Sequence, residues 1–502
     1  MIMKMKKAIN IIMGGAFILT LVPACTDLKV NEVDSIVEEN AGGGFVAGNP
    51  TDLLSSAYND LGSYTDQANI YALLEQPSDE MIPPTRGVDW GDNGVWRLLH
   101  TQSWDATHSQ VLGVWNQLNS FAYKCNEILA SNPSPQQAAE AKVLRALNMY
   151  YVMDFYGQVP FREVTEGVDV DPKVLSRSEA FDFIVKDLTD ALAALPNDGP
   201  MVGGRSTATQ AAANALLSRL YLNKAVFTAA DAAGPYNFDA GDMTKVVQYA
   251  DAVAASGYDL EDEYFKIFSN SSEKEVILNS VAGTPQNRWF MTLHYDQNPS
   301  GWNGFTTLAD FYNKFDKSDP RIGNYPAPDG SQFSGIGRGF LIGQQYKDDG
   351  SALVDSRTQK PLQFTTDVPL AGAATDKGIR AIKYHPSNAG KYIMIRYGEV
   401  YMNKLEAIVR GGSTSQSALD VVNNLRAKRG APALASIDVS GVLDERGREL
   451  YWEGFRRDDQ IRFGTFTGTW ESKTTTDPSR VLFPIPQQAL DSNPNLTQNP
   501  GY

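Results

Sequence analysis

The chain has 502 residues, 42% of them hydrophobic and 21% charged, with a formal net charge of −15. That length and composition can bury a large core, allow two or three domains and leave the bulk of the chain globular. Removing the first twenty-four residues, which carry Lys4, Lys6 and Lys7 and no acid, takes the charge to −18, and a surface so acidic argues against binding nucleic acid or anionic lipid.

Residues 1–24 read as a targeting segment rather than as part of the fold. Lys4, Lys6 and Lys7 form a basic start, and AINIIMGGAFILTLV is an apolar run too short to span a membrane comfortably. It ends at Leu21-Val22-Pro23-Ala24-Cys25, which resembles a bacterial lipoprotein signal with Cys25 as the lipidated residue. Acyl burial at ~0.8 kcal/mol per CH₂ would anchor an otherwise soluble body there. With Cys25 lipidated, the second cysteine, Cys125, has no partner and is expected in the core. Residues 25–48, with Gly42-Gly43-Gly44, read as a tether.

A helical region is expected over 49–257. Asn49-Pro50 is an N-cap followed by proline at the first helical position, with Leu53, Leu54, Ala57, Tyr58 and Leu61 on one side. A long helix is predicted from about Thr107 to Ser131, its stripe running from Val111, Val114 and Trp115 to Cys125, Ile128 and Leu129. A partner follows from about Gln136 to Tyr156. Ser176 and Glu179 have capping-box spacing ahead of a fourth helix, Thr207 and Gln210 ahead of an alanine-rich fifth. A sixth spans about Asp242 to Ser256. Residues 258–391 lose helical periodicity, gain Gly, Pro, Asn and Asp, and read as a loop-rich insertion of functional kind. Helices return in 392–502, one of them from about Lys391, and the proline- and asparagine-rich tail is expected to lie extended on the surface.

Between the first helix and the long one lies DEMIPPTRGVDWGDNGVWRLLHTQSW. Trp90, Trp96 and Trp104 fall within it among Gly87, Gly91, Gly94, Asp89, Asp92 and Asn93, behind Pro83-Pro84 and Arg86. Such a composition predicts an ordered, turn-rich loop on which an indole is hard to bury. Exposed indoles beside Asp, Asn and Arg suit a flat, hydroxyl-rich ligand such as a sugar, ring face against C–H face. The insertion repeats this chemistry in Trp289, His294-Tyr295 and Gly301-Trp302-Asn303-Gly304-Phe305. Candidate ligand contacts are therefore Arg86, Trp90, Trp96, Trp302 and Asn303, with Asn93, Trp289 and Tyr295 behind them. The two loops are expected to face each other across one pocket; the competing expectation is that the indoles pin loops onto the core.

The ordered set of motifs resembles the SusD/RagB family of outer-membrane nutrient-binding lipoproteins. It comprises the signal ending at Cys25, Asn126, Phe155-Tyr156-Gly157 with Pro160-Phe161, IRYGEVYMNKLEAIVRGG, NNLRAKRGAP, Glu445 to Gly464 and the closing Phe483-Pro484-Ile485-Pro486 and Asn493 to Tyr502. The resemblance implies a mainly α fold of degenerate tetratricopeptide-like helical hairpins with a loop-rich binding face. It also implies a cell-surface, lipid-anchored oligosaccharide-binding protein of the outer membrane, delivering ligand to a SusC-type TonB-dependent barrel; a peptide-binding or structural lid is the alternative.

Little in the sequence speaks for an enzyme. The four histidines, at 100, 108, 294 and 385, lack metal-ligand spacing, and no nucleophile elbow or phosphate loop is present. Asp79 and Glu80 could supply an acid and a base for glycoside hydrolysis, but adjacent side chains rarely flank one bond. Glu445, Glu449, Glu453, Arg446, Arg456 and Asp459 fall at helical spacings where ion pairs form, and are expected to lock helix ends to the body. No cofactor and no metal are called for.

Overall fold

Helix ends along this chain are set by side chains that satisfy the first free backbone N–H groups, and the computed structural model shows them at work. It describes residues 47–167, 169–281, 285–324 and 330–502, which lie in one compact unit; Cys25 and its signal lie outside them. Asn49 accepts the N–H of Thr51 at 2.9 Å and starts Pro50–Asp60. Ser109–Ala130 buries Val111, Val114, Trp115, Leu118, Cys125 and Ile128, and burial pushes the Cys125 thiol up to about 12. Pro135–Tyr156 begins in a reciprocal Ser134–Gln137 capping box and ends at Gly157, whose φ of 71° only glycine adopts freely. Ser176 and Glu179 form the expected box before Arg177–Ala191.

Two of these details differ from expectation. Thr209, not Thr207, caps the alanine-rich helix Gln210–Phe227, by accepting the N–H of Ala212. That helix is apolar around most of its circumference, as suits a central position. Second, no helix starts at Lys391. Ile393–Arg396 is a strand paired antiparallel with Val276–Asn279, and the helix is Tyr397–Val409. The run of Ile393, Met394 and Ile395 favours an extended backbone, and Arg396 is needed where the strand ends.

Around Ser109–Ala130, Pro135–Tyr156, Arg177–Ala191, Gln210–Phe227, Ala240–Ala255 and Tyr397–Val409, successive helices pack as neighbours, a mainly α architecture. Strands are short and concentrated in the insertion, where Arg338–Leu341 lies between Gly323–Asn324 and Arg380–Ile382. No helix of the described residues is long and apolar enough to cross a membrane.

The expectation that the tail lies on the surface is corrected. Phe483 and Ile485 are fully buried, and Gln487–Ser492 is helical. Asn499 donates to the carbonyls of Tyr156 and Phe483, at 2.9 and 2.7 Å, and Trp104 donates its indole N–H to the Tyr502 hydroxyl at 2.6 Å. Prolines in this tail forbid a long helix but not burial, because side chains meet its free backbone groups.

The C-terminal charges do form a buried lattice. Arg321 meets Asp319 and Glu445 at 2.7 Å, Arg429 meets Glu275 and Glu449, and Arg462 meets Glu406 and Asp459. Asp79 is clasped by both arms of Arg456, at 2.6 and 2.8 Å, while Glu80 turns away to accept the N–H of Trp452. The two carboxyls thus serve different partners. Burial alone would raise Glu406, but Arg462 and Arg446 hold it down to about 2. Its contribution to stability is therefore present above the usual carboxylate range and lost as pH falls toward about 2.

Asp458 behaves in the opposite sense. Burial, and then Asp154 beside it, raise its pKa, so the native state keeps a proton that the unfolded chain releases near ~3.9. Stability from this group is full below that value and declines as pH rises toward the raised one. Asp458→Asn, which keeps a neutral donor, is expected to remove that decline. The stability gap between the two proteins, measured by urea unfolding, should change by up to about 1.4 kcal/mol per pH unit across the window, in favour of the variant at higher pH.

Candidate functional site

The tryptophan loop hangs from the strand Met81–Ile82, which pairs antiparallel with Thr306–Thr307 and so brings the insertion to it. After Pro83-Pro84, Arg86 and Asp89 exchange both backbone hydrogen bonds around Gly87, leaving Val88 95% exposed at the tip. Trp90, Asp92 and Asn93 take φ values of 62°, 33° and 52°, so turn chemistry continues to Gly94, where the helix Val95–His100 begins. The second loop closes on itself: Trp302 donates its N–H to Phe290, Asn303 to Leu293 and Gly304 to Met291, at 2.6, 2.8 and 2.9 Å.

The loops touch directly. Trp90 donates its indole N–H to the Trp302 carbonyl at 2.9 Å, and its ring lies 4.7 Å from Phe305, 6.0 Å from Trp96 and 6.4 Å from Trp302, centroid to centroid. Phe290 lies 5.7 Å from Trp302. The rings form two tiers. Phe305, Trp96 and Trp289 are buried beneath; Trp90 and Phe290 are half-buried above them, and Trp302 stands 41% exposed. The two loops, expected to face each other across one pocket, meet directly at Trp90 and Trp302 and join their rings in one aromatic platform.

Burial also corrects four of the expected ligand contacts. Arg86 is enclosed, its guanidinium donating to the carbonyls of Asn303, Ala374 and Lys377, and burial pulls its pKa down to about 10. Asn303 is fully buried and joins Thr375 to Arg380, accepting from Arg380 at 2.6 Å. Trp96 donates to the Asp92 carboxylate at 2.6 Å from a buried position, and Trp289 sits under Phe290. These residues hold the platform from below; they do not reach its surface. Trp104, near the tail, belongs to the core.

Of the remaining expected contacts, Asn93 is exposed and Tyr295 half-buried. Tyr295 donates its hydroxyl to Asp89 at 2.5 Å and lies under the Arg357 guanidinium, 4.1 Å from the ring. Burial, and then Asp89, push the phenol up to about 12, so it stays neutral. Sequence reasoning missed Phe290, Arg357 and Arg380. The first two join the surface only through contacts distant in the chain; nothing in the pattern around Arg380 announced a buried guanidinium served by carbonyls alone.

His294, Asp296 and Asp355 offer three ligand atoms within 4.8 Å of one another. Both carboxylates are already engaged, Asp355 by Thr375 at 2.6 Å and the N–H of Arg357 at 2.8 Å, Asp296 by Ser356. Burial and Arg380 hold the imidazole down to about 4, and positive charge so near opposes a cation. The group fastens loops.

Gly304 decides the height of the platform. A methyl at its α-carbon would stand 2.4 Å from the Trp90 indole. Gly304→Ala is therefore expected to lift Trp90 off Phe305 and red-shift tryptophan emission, whereas Gly91→Ala, whose methyl would meet only the Val88 carbonyl at 3.6 Å, should leave the emission unchanged.

The family model described as the SusD family matches residues 255–502, and one described as starch-binding associating with outer membrane matches 86–222. The starch-binding protein SusD of Bacteroides thetaiotaomicron is 25% identical over 492 residues, covering 85% of this chain and 84% of its own. A crystal structure of a SusD-like protein from Bacteroides fragilis superposes with a TM-score of 0.68 at 22% identity, over 90% of this chain and 97% of that one. Surface glycan-binding protein A of Bacteroides thetaiotaomicron, solved with laminarihexaose, gives 0.65 at 17% identity, over 90% and 98%. At these identities the structural likeness is one of fold.

Proposed function

The chain belongs to the SusD/RagB family, and from that premise we propose that it is a surface glycan-binding protein whose ligand stacks on Trp302 and Trp90. One observation carries this reading: an indole 41% exposed, packed against the rings of Trp90 and Phe290 where the two loops meet. A sugar presents an apolar C–H face and a rim of hydroxyls. The first fits an exposed ring packed in place before binding; the second fits the amide of Asn93 and the phenol and carboxylate of Tyr295 and Asp89, carried on the same two loops. Trp302 and Trp90 contribute stacking, Asn93 and Tyr295 orientation, and Phe290 extends the apolar floor.

Relatives that bind starch or laminarin-type glycans support a polysaccharide-derived ligand. Lipid attachment at Cys25 would hold the protein at the outer membrane, where it would pass oligosaccharide to a SusC-type TonB-dependent barrel. Modest affinity suits such a role, since captured cargo must be released. Affinity electrophoresis through gels containing starch, laminarin and other polysaccharides tests the proposal: retardation by at least one glycan is expected, and uniform migration of the folded protein through the whole panel would refute it.

A further inference from the structure

A recess lies between the loop that follows the helix Gln210–Phe227 and the C-terminal tail. It has a volume of about 600 Å³, is walled by Ala229, Ala232, Pro478, Leu482 and Pro500, and has Arg177 in its lining. It shares no residue with the aromatic platform, and no aromatic ring lines it.

Arg177 is the unusual member. Its guanidinium lies 5.3 Å over the Phe227 ring and donates to the Val226 carbonyl at 3.3 Å. Its Nε is buried without a hydrogen-bond partner, and among the described residues no carboxylate pairs with it. Nearby Asp154 is taken by Arg457, which also meets Asp458 at 3.3 Å. The two acids in the lining are engaged as well: Asp477 accepts from Ser479 and Arg480, and Asp231 from the N–H of Ala233. Burial lowers the Arg177 pKa, but a guanidinium keeps its proton in proteins and the group remains a cation.

A half-buried guanidinium whose Nε is buried without a partner and whose one carbonyl contact is long is incompletely satisfied, and a carboxylate is the group that matches its planar fork. The surrounding alanine, proline and leucine side chains offer aliphatic contact and no stacking face. We propose that this recess binds a small carboxylate carried on a short aliphatic body, the acid meeting Arg177 and the body lying against Ala229, Ala232, Pro478 and Leu482. The acid could be a free organic acid or the C-terminus of a short peptide, and the two are separable by experiment.

Calorimetric titration of the full chain with N-acetyl-alanyl-alanine, with its C-terminal amide and with pentanoate tests this. The peptide acid is expected to bind at least about tenfold more tightly than the amide, with affinity falling as salt is raised. Pentanoate binding as well as the peptide acid would identify the free organic acid as sufficient; binding of the peptide acid alone would identify the peptide terminus. Arg177→Gln should remove the preference of acid over amide, and Ala229→Leu, which fills the recess and leaves Arg177 in place, should weaken the acid. Equal titration of acid and amide by the unaltered chain, or no binding of either acid, would overturn the proposal without reliance on a variant.

Discussion

Replacing Arg396 by methionine is expected to cost about 3–5 kcal/mol of folding stability, the range for removing one partner of a buried charge cluster. Arg396 is 1% exposed where the strand Ile393–Arg396 passes into the helix Tyr397–Val409. Its guanidinium meets Glu275 at 2.5 Å, Glu449 at 2.9 Å and Glu453 at 2.6 Å. Methionine would fill the space but leave those three carboxylates to share Arg429, Arg321 and Lys383. Glu449 shows how much rests on the arrangement: burial would raise its pKa, yet Arg429 and Arg396 hold it far below the usual carboxylate range. Arg396→Lys should lose less, because a point charge remains, but it cannot reach all three acids at once. Urea unfolding checks this. A loss under about 1 kcal/mol for Arg396→Met would mean that water reaches the cluster, as it does in a surface ion pair.

The second large effect concerns binding. Trp302→Ala is expected to weaken the retarding glycan by about tenfold to a hundredfold, taking the ~1–3 kcal/mol of a base stacked on an aromatic ring as the scale. Its own stability should change little, since the ring is 41% exposed and its loss opens no internal cavity. Trp90→Ala should damage both properties. Its ring packs on Phe305 and Trp96, and its indole N–H holds the Trp302 carbonyl. Trp302→Phe should recover part of the affinity. Calorimetry and thermal unfolding on the three variants separate these outcomes.

The contrast between Trp302 and Trp96 shows where sequence reading stopped. Both sit in glycine-rich, asparagine-bearing stretches, and local chemistry predicts an exposed ring for each. Tertiary packing decides, because Phe305 of the partner loop and Trp90 of its own loop cover Trp96, whereas nothing among the described residues covers Trp302 to the same degree. Arg86 is a similar case: next to a candidate loop an arginine suggests ligand contact, but the carbonyls that enclose it come from residues 303 to 377. By contrast, the helical hairpins were legible because their signals are local. Asn49, Ser176 with Glu179, and the stripe through Val111, Trp115, Leu118 and Cys125 each act within a few residues. The buried tail escaped notice because proline and asparagine mark the absence of regular structure, not the presence of solvent. Phe483, Ile485 and Leu496, spaced through that tail, were the apolar signal available there.

The most direct measurement is hydrogen–deuterium exchange of the full chain with and without the oligosaccharide derived from the retarding glycan. Added protection is expected in peptides covering 88–96 and 290–303, the two segments that carry the platform. Protection confined to other segments, with these two unchanged at saturating ligand, would contradict the placement of the glycan on Trp302 and Trp90.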